Sequence, residues 1–144
     1  MQNCPMCRKW NAEPELRIVE LTHTRVMLNA DQFFPGYTFV FAREHVTELF
    51  YLERTVRQEM MEEVTAVAAS LYNLFRPAKM NYELLGNMVP HIHWHLIPRF
   101  AADPLWPRPV WAEPHEELRL SPAAYAERIG QISSHISATE SAQR

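Results

Sequence analysis

The sequence has no long hydrophobic run. A membrane-spanning helix needs about 18 or more consecutive apolar residues, and the chain has no such stretch. The polar start, Met1-Gln2-Asn3-Cys4, also lacks the basic and then apolar pattern of a secretory signal. We therefore expect a cytoplasmic protein without a membrane partner.

Basic charge is not in excess either. The chain has 14 lysine and arginine residues against 17 aspartate and glutamate residues, a formal net charge of −3. A protein that holds nucleic acid through its phosphates normally carries a basic surface. A nucleic-acid partner is therefore not expected, and any recognition of phosphate groups must be local.

Cysteine is scarce, and the two cysteines, Cys4 and Cys7, lie close together. In an intracellular protein this spacing suggests zinc or redox chemistry. A redox pair usually follows a strand and opens a helix inside a β-α-β unit, which this N-terminal position does not offer. Zinc is the better interpretation, but it requires two further ligands.

The length of 144 residues, with 47% hydrophobic side chains, suits a single domain with one core. We place that domain at residues 1–136, with residues 1–14 as an N-terminal segment. The polar residues 137–144 are expected to form a disordered tail.

Hydrophobic periodicity predicts an α+β fold with a mainly antiparallel sheet, a long helix and a C-terminal helix. Thr55 and Gln58 resemble a capping box at the start of the long helix, and Ser121 is a candidate N-cap before Pro122. Apolar residues at helical spacing give the long helix one buried face: Val56, Met60, Val64, Val67, Leu71 and Phe75. The five predicted strands are residues 16–21, 25–29, 37–42, 81–85 and 91–97.

Three histidines, His91, His93 and His95, alternate with apolar residues near the end of the predicted sheet. On a strand, residues two apart share a face, so the three imidazoles should stand in a row. Three interpretations follow. The histidines are simply polar residues of an amphipathic strand, or they bind a catalytic zinc. Alternatively, one attacks phosphorus as a nucleophile and needs no metal.

The segment His91-Ile-His93-Trp-His95-Leu-Ile resembles the motif of the histidine triad (HIT) family. Flanking segments agree, among them residues 86–90, 98–107 and the upstream Phe34-Pro35-Gly36-Tyr37. These segments resemble those of the small bacterial HIT proteins described as diadenosine tetraphosphate hydrolase-like. The resemblance implies a HIT-like five-stranded sheet, a nucleotide cleft over the triad strand, a homodimer and no catalytic cofactor.

The resemblance also implies catalytic roles. His93 would attack the α-phosphorus of a nucleotide and become nucleotidylated, with its other nitrogen held by the backbone carbonyl of His91. His95 would donate a hydrogen bond to phosphate or a proton to the leaving group. Tyr37 stands where many HIT hydrolases have a further histidine, and a phenol is a poor proton shuttle at neutral pH.

Further residues are implied in nucleotide binding. Asn87 and the backbone around Met88 would contact phosphate, and Asn29 would lie near the ribose. Leu28 and the Phe33-Phe34 pair would flank the base, and Arg99 could contact phosphate. The segment from Trp106 to Trp111 would cover the site or a partner, or would pack on its own core.

The resemblance further implies a structural zinc held by Cys4, Cys7, His45 and His91. We thus expect a nucleotide hydrolase or transferase that cleaves a phosphoester or phosphoanhydride such as diadenosine tetraphosphate. Two alternatives stay open. The first is a nucleotide-binding protein with little catalytic activity, and the second is a zinc-dependent hydrolase that uses the three triad histidines as ligands.

Overall fold

A computed structural model describes residues 3–142 of the chain. The predicted α+β class is confirmed: five strands form one sheet in the order β1-β2-β3-β5-β4, and every neighbouring pair is antiparallel. Among the described residues, no helix combines the length and the apolar character that a membrane span requires. The elements are α1 (Pro5–Ala12), β1 (Arg17–Glu20), β2 (Thr24–Leu28), β3 (Thr38–Ala42), α2 (Arg54–Phe75), β4 (Lys79–Glu83), β5 (His93–Arg99) and α3 (Pro122–Ala142).

Helices α2 and α3 pack on one face of the sheet and form the main core. The predicted apolar face of α2 lies in this core, with Val64, Val67 and Leu71 fully buried. The sheet contributes the other half of this core. Because side chains alternate between the two faces of a strand, Trp94 and Leu96 of β5 point to the helices. This packing leaves the opposite face of β5, which carries His93 and His95, on the other side of the sheet.

The helix ends differ from the sequence in two places. Helix α2 begins at Arg54 after Glu53, and no side chain caps it, so the predicted capping box at Thr55 is wrong. Helix α3 begins as predicted, because the backbone N–H of Ala124 donates to Ser121 Oγ at 3.2 Å. It continues to Ala142, so residues 137–142 extend a helix where we expected a disordered tail.

The second face of the sheet is covered at its two ends only. At one end, α1 and the following turn lay Met6 and Leu16 over Met27 and Phe41. At the other end, residues 105–110 pack on Ile97 and on the turn before β3. The N-terminal helix was not predicted, since its eight residues are too few to show a helical period. The uncovered middle of this face becomes a cleft.

Arg99 holds residues 105–110 against the sheet. It is almost wholly buried, with 1% of its surface exposed. Its Nε donates to Asp103 at 2.6 Å, and its other nitrogens donate to Asn81 Oδ1 at 3.0 Å and the carbonyl of Arg108 at 2.9 Å. The guanidinium also lies over the ring of Phe34. The expected contact between Arg99 and phosphate is wrong, because the structure encloses the guanidinium within the protein.

Replacing Arg99 should therefore destabilise the fold. Arg99→Met leaves the carboxylate of Asp103, whose side chain is 5% exposed, buried without its partner. We expect a loss of about 3–5 kcal/mol in the free energy of unfolding, measured by chemical denaturation. Arg108→Met is the matched control, because its ion pair with Glu113 is exposed and should contribute less than about 1 kcal/mol. Equal denaturation midpoints for the two variants would contradict this assignment.

Candidate functional site

A cleft of about 480 Å³ opens on the second face of the sheet, between the part covered by α1 and the part covered by residues 105–110. Its floor is the outward face of β3 and β5, and its walls come from α1, the 85–89 turn and the loop after β5. The lining residues on which the argument depends are Lys9, Phe39, Asn87, His93, His95 and Trp111.

His93 stands at the centre of this floor with one ring nitrogen committed. Its Nδ1–H donates to the backbone carbonyl of His91 at 2.6 Å, the hydrogen bond that the sequence led us to expect. The side chain is 6% exposed. Among the described residues, Nε2 has no hydrogen-bond partner. Every fully buried side-chain nitrogen in this part of the chain does have a partner, so Nε2 must be accessible, and it faces the cleft that His93 lines. A bare imidazole nitrogen in a cleft can act as a nucleophile.

His95 lies beside His93, with ring centroids 4.9 Å apart, and its Nδ1 is hydrogen-bonded to the hydroxyl of Tyr37. Burial, together with the charge of a protonated His93, lowers the pKa of His95 to about 4. Burial also raises the pKa of Tyr37 well above its usual range, and the carboxylates of Glu83 and Asp31 add to that effect. Both side chains are therefore neutral at pH 7. Tyr37, at the position where the resemblance implied a histidine, thus contacts His95 directly.

His91 precedes β5 and does not extend the row of imidazoles as expected. Its Nδ1 lies 3.6 Å from Cys4 Sγ, 3.4 Å from Cys7 Sγ and 3.3 Å from His45 Nδ1. Its Nε2–H donates to the carbonyl of Ala42 at 2.8 Å. Both nitrogens are thereby directed away from the cleft.

His91 and the three side chains around it, those of Cys4, Cys7 and His45, fit a tetrahedral zinc ion. Their candidate ligand atoms all lie within 4.8 Å of one another. Zinc lies about 2.0 Å from nitrogen and about 2.3 Å from sulfur, so a regular tetrahedron has edges of about 3.3 Å between nitrogens and about 3.5 Å between nitrogen and sulfur. The observed nitrogen–sulfur distances of 3.4–3.6 Å and the nitrogen–nitrogen distance of 3.3 Å match those edges. This cluster could therefore bind zinc.

The nucleotide-contact residues expected from the sequence divide into two groups. Asn87 and Met88 line the cleft, as predicted, and both are exposed. Leu28 does not reach it, because alternation along β2 turns Leu28 into the main core on the helix side. Asn29 also lies outside the lining, and its side-chain oxygen accepts the backbone N–H of Asp31.

Three further residues line the cleft, and two of them, Phe39 and Lys9, were not identified as site residues from the sequence. Phe39 of β3 is the register partner of His95 on β5, and their ring centroids are 5.2 Å apart. The sequence could have identified it, because residues two apart on a strand share a face and Phe39 is two residues after Tyr37. Trp111 meets His95 edge-on, and its indole N–H donates to Glu83. Lys9 comes from the unpredicted helix α1 and pairs with Glu13 at 2.6 Å.

Comparison with known proteins agrees with this geometry. The HIT domain family matches residues 11–102, more than half of the chain. The sequence is 25% identical to "Protein hit" of Bacillus subtilis (strain 168) over 105 residues, which are 69% of this chain and 72% of that protein.

Solved structures share the fold. A histidine triad protein from Bradyrhizobium japonicum superposes with a TM-score of 0.79 and 26% identity, covering 88% of this chain and 94% of that one. A Zn-bound histidine triad family protein from Mycobacterium smegmatis superposes with a TM-score of 0.70 and 20% identity over 98% of both chains. With the family match over residues 11–102, these similarities show that the chain belongs to the HIT domain family.

Proposed function

We propose that this protein is a nucleotide hydrolase that cleaves a dinucleoside polyphosphate, or a related nucleotidyl phosphoester or phosphoanhydride, through a nucleotidyl–His93 intermediate. The observation that carries the proposal is the state of His93. Its Nδ1–H is held by the carbonyl of His91, and its Nε2 is left bare in the cleft. A nucleophile has to present such a lone pair to phosphorus.

The reaction has two steps. The Nε2 lone pair of His93 attacks the α-phosphorus, and the bond to the bridging oxygen breaks with its electron pair leaving on that oxygen. Water then attacks the same phosphorus, the P–N bond breaks, and its electron pair returns to Nε2 while the water's proton passes to solvent. The product is a nucleoside monophosphate. The hydrogen bond from Nδ1–H stabilises the positive charge that the ring acquires when Nε2 is bonded to phosphorus.

Groups on two sides of the cleft can receive the phosphates. The turn at Gly86 has a φ of +72°, and Asn87 follows it with an amide side chain on the lining. Lys9 faces them from α1, where it is paired with Glu13 at 2.6 Å, and its ammonium group can also donate a hydrogen bond to phosphate. Because the chain's net charge is −3, phosphate recognition depends on Asn87 and Lys9 and not on a general positive potential of the protein.

A second candidate function is nucleotide binding without turnover. The specific observation in its favour is the pair formed by Tyr37 and His95, neither of which titrates near neutral pH. A site without a neutral-range proton donor binds phosphates as well as an active one but has less means to assist a leaving group.

Intact-mass spectrometry separates the two candidates. Wild-type protein mixed briefly with diadenosine tetraphosphate and quenched without acid should carry a nucleotidyl adduct, because the phosphoramidate forms before water removes it. His93→Ala should carry none, and its turnover should fall by at least about a thousandfold, as expected for loss of a nucleophile. His135→Ala, on α3 and outside the lining of the cleft, is the matched control and should behave as wild type. Turnover retained in His93→Ala would refute a covalent role for His93, and wild-type binding with neither adduct nor turnover would favour the second candidate.

We also propose that Cys4, Cys7, His45 and His91 hold one structural zinc. The tetrahedral distances support this, and the Mycobacterium smegmatis relative is described as zinc-bound. All four positions are filled by protein, which is the pattern of structural sites. The hydrogen bond from His91 Nε2–H to Ala42 would orient the ring for the metal. Two thiolate ligands also suit the reducing cytoplasm expected from the sequence.

This assignment disfavours a catalytic zinc on the triad. Such a site would need a nitrogen of His91 to meet those of His93 and His95 in the cleft. Both nitrogens of His91 already have partners elsewhere. The remaining pair, His93 and His95, has each Nδ1 engaged as well.

Metal analysis tests the zinc site. The purified protein should contain one zinc per chain, and its cobalt-substituted form should show thiolate-to-metal charge-transfer absorption. Cys7→Ser should lose the zinc and the absorption band, and it should unfold at lower denaturant concentration because metal binding contributes to folding. His115→Ala, which lies outside the cluster, should retain both. Zinc held equally by Cys7→Ser and wild type would contradict the ligand set.

We further propose a homodimer that forms along β4. This strand is one edge of the sheet, so one side of its backbone is open to pairing. Exposed apolar side chains lie on and just after it, at Tyr82, Leu84 and Leu85. Exposed apolar surface beside an unpaired edge is typical of an interface between chains.

Sedimentation equilibrium tests the dimer. The wild-type protein should sediment as a dimer at micromolar concentration, and Leu84→Glu should shift it to a monomer, because a carboxylate would be buried at the interface. Ala138→Glu is the matched control, since it lies on α3, which packs against β1 at the opposite edge of the sheet. A monomeric wild type, or a Leu84→Glu variant that dimerises equally well, would refute this interface.

A further inference from the structure

Tyr37 and His95 form a closed pair at the end of the cleft. The phenol hydroxyl is hydrogen-bonded to His95 Nδ1, and the exposed fractions of the two side chains are 6% and 8%. Tyr37 is held there by the turn before β3, where its backbone N–H donates to the carbonyl of Phe34 at 3.1 Å. The pair is therefore buried and held in place, and of the two residues His95 lines the cleft.

We propose that Tyr37 fixes His95 as the tautomer with its proton on Nε2, and that the site thereby selects substrates whose leaving group departs as an anion, such as a phosphate or polyphosphate, over those that release an amine. This inference rests on the proposed hydrolase function. It assigns Tyr37 as a positioning residue that acts through His95.

The direction of the hydrogen bond follows from the need to satisfy buried donors. If His95 donated its Nδ1–H to the phenol oxygen, the phenol hydrogen would need a second acceptor. Among the described residues, His95 is the only hydrogen-bond partner of that hydroxyl. A buried donor without a partner is strongly unfavourable. The arrangement in which Tyr37 O–H donates to Nδ1 satisfies both groups, and it leaves Nε2–H directed to the cleft, where a ligand can accept it.

The groups around His95 offer no better proton source. His93 is its neighbour on β5, and Glu83 is its register partner on β4, with a carboxylate that accepts the indole N–H of Trp111. Lys9 faces the cleft from α1 and is paired with Glu13. Burial lowers the pKa of His95 to about 4, so the imidazolium form is sparse at neutral pH. His95 can donate a hydrogen bond there but has no second proton to give away.

Leaving groups differ in whether they need that proton. A phosphate or polyphosphate, with a last pKa of about 6, is stable as an anion at neutral pH, and one hydrogen bond from Nε2–H stabilises it as it leaves. An alkylamine, with a pKa of about 10, has to be protonated as its bond to phosphorus breaks. In the first case the P–O electron pair leaves on oxygen and no proton moves. The second case requires a proton that the Tyr37–His95 pair does not supply.

Paired substrates with the same adenylyl group test the selectivity. For wild-type protein, kcat/KM should be at least about a hundredfold higher for diadenosine tetraphosphate than for an adenosine phosphoramidate of a primary amine, in line with the usual size of general acid catalysis. Tyr37→His places a second imidazole, whose unperturbed pKa lies near neutrality, beside His95, so the ratio should fall at least about tenfold. Tyr37→Phe should lower kcat for diadenosine tetraphosphate without restoring activity on the phosphoramidate.

Nitrogen-15 NMR of the histidine rings gives a readout independent of activity. In wild type, His95 Nδ1 should show the chemical shift of an unprotonated ring nitrogen and Nε2 that of a protonated one, unchanged from pH 8 to pH 5. In Tyr37→Phe the two tautomers should interchange, although the fold is retained. A wild-type His95 that is protonated on Nδ1, or that titrates near its ordinary value, would overturn the inference.

Different outcomes would refute the selectivity for leaving groups and the hydrolase function. Equal kcat/KM values for the two substrates, with adducts on His93 from both, would refute the selectivity and leave the hydrolase function intact. Absence of both adduct and turnover with either substrate would refute the hydrolase function, and with it the selectivity. The NMR spectrum would still decide the tautomer in that case.

Discussion

The hydrogen bond from His93 Nδ1–H to the carbonyl of His91 is the contact on which the site depends. It selects the tautomer of His93 and points the other nitrogen into the cleft. The carbonyl can do this only if His91 itself is fixed, and His91 is held through both ring nitrogens. One faces the two cysteines and His45, and the other donates to Ala42 on β3. The orientation of His93 is thus determined by groups that never touch the cleft.

Alternation along β5 makes this arrangement compatible with a stable core. Trp94 and Leu96 are buried against α2 and α3, while His93 and His95 occupy the other face. Because that face is covered only at its ends, the polar rings are screened from bulk water and still accessible to a ligand. Arg99, also on β5, shows how the cover is held, since its buried guanidinium binds the loop that carries Trp111 towards His95.

The elements whose apolar side chains recur at regular spacing could be predicted from the sequence. The five strands and the buried face of α2 follow from side-chain spacing, and the start of α3 follows from Ser121 and Pro122. Features set by tertiary contacts were not. Helix α1 spans only eight residues, too few for a period to be recognised, and it covers the sheet only because Met6 packs on Met27 and Phe41. A one-residue difference in phase separates Met27 on the cleft side from Leu28 in the main core, and a loose sequence resemblance does not resolve that difference.

The replacement of a titratable residue by Tyr37 changes the chemistry of the site without opening a space in it. A phenol is large enough to remain packed between Phe39 and His95. Its hydroxyl also satisfies Nδ1, so the burial that lowers the pKa of His95 costs no unpaired polar group. The same burial would be unfavourable beside an imidazole that had to become charged during turnover. Packing, hydrogen bonding and proton availability are therefore coupled at this one position, and a substitution there alters which leaving groups the site assists before it alters the fold.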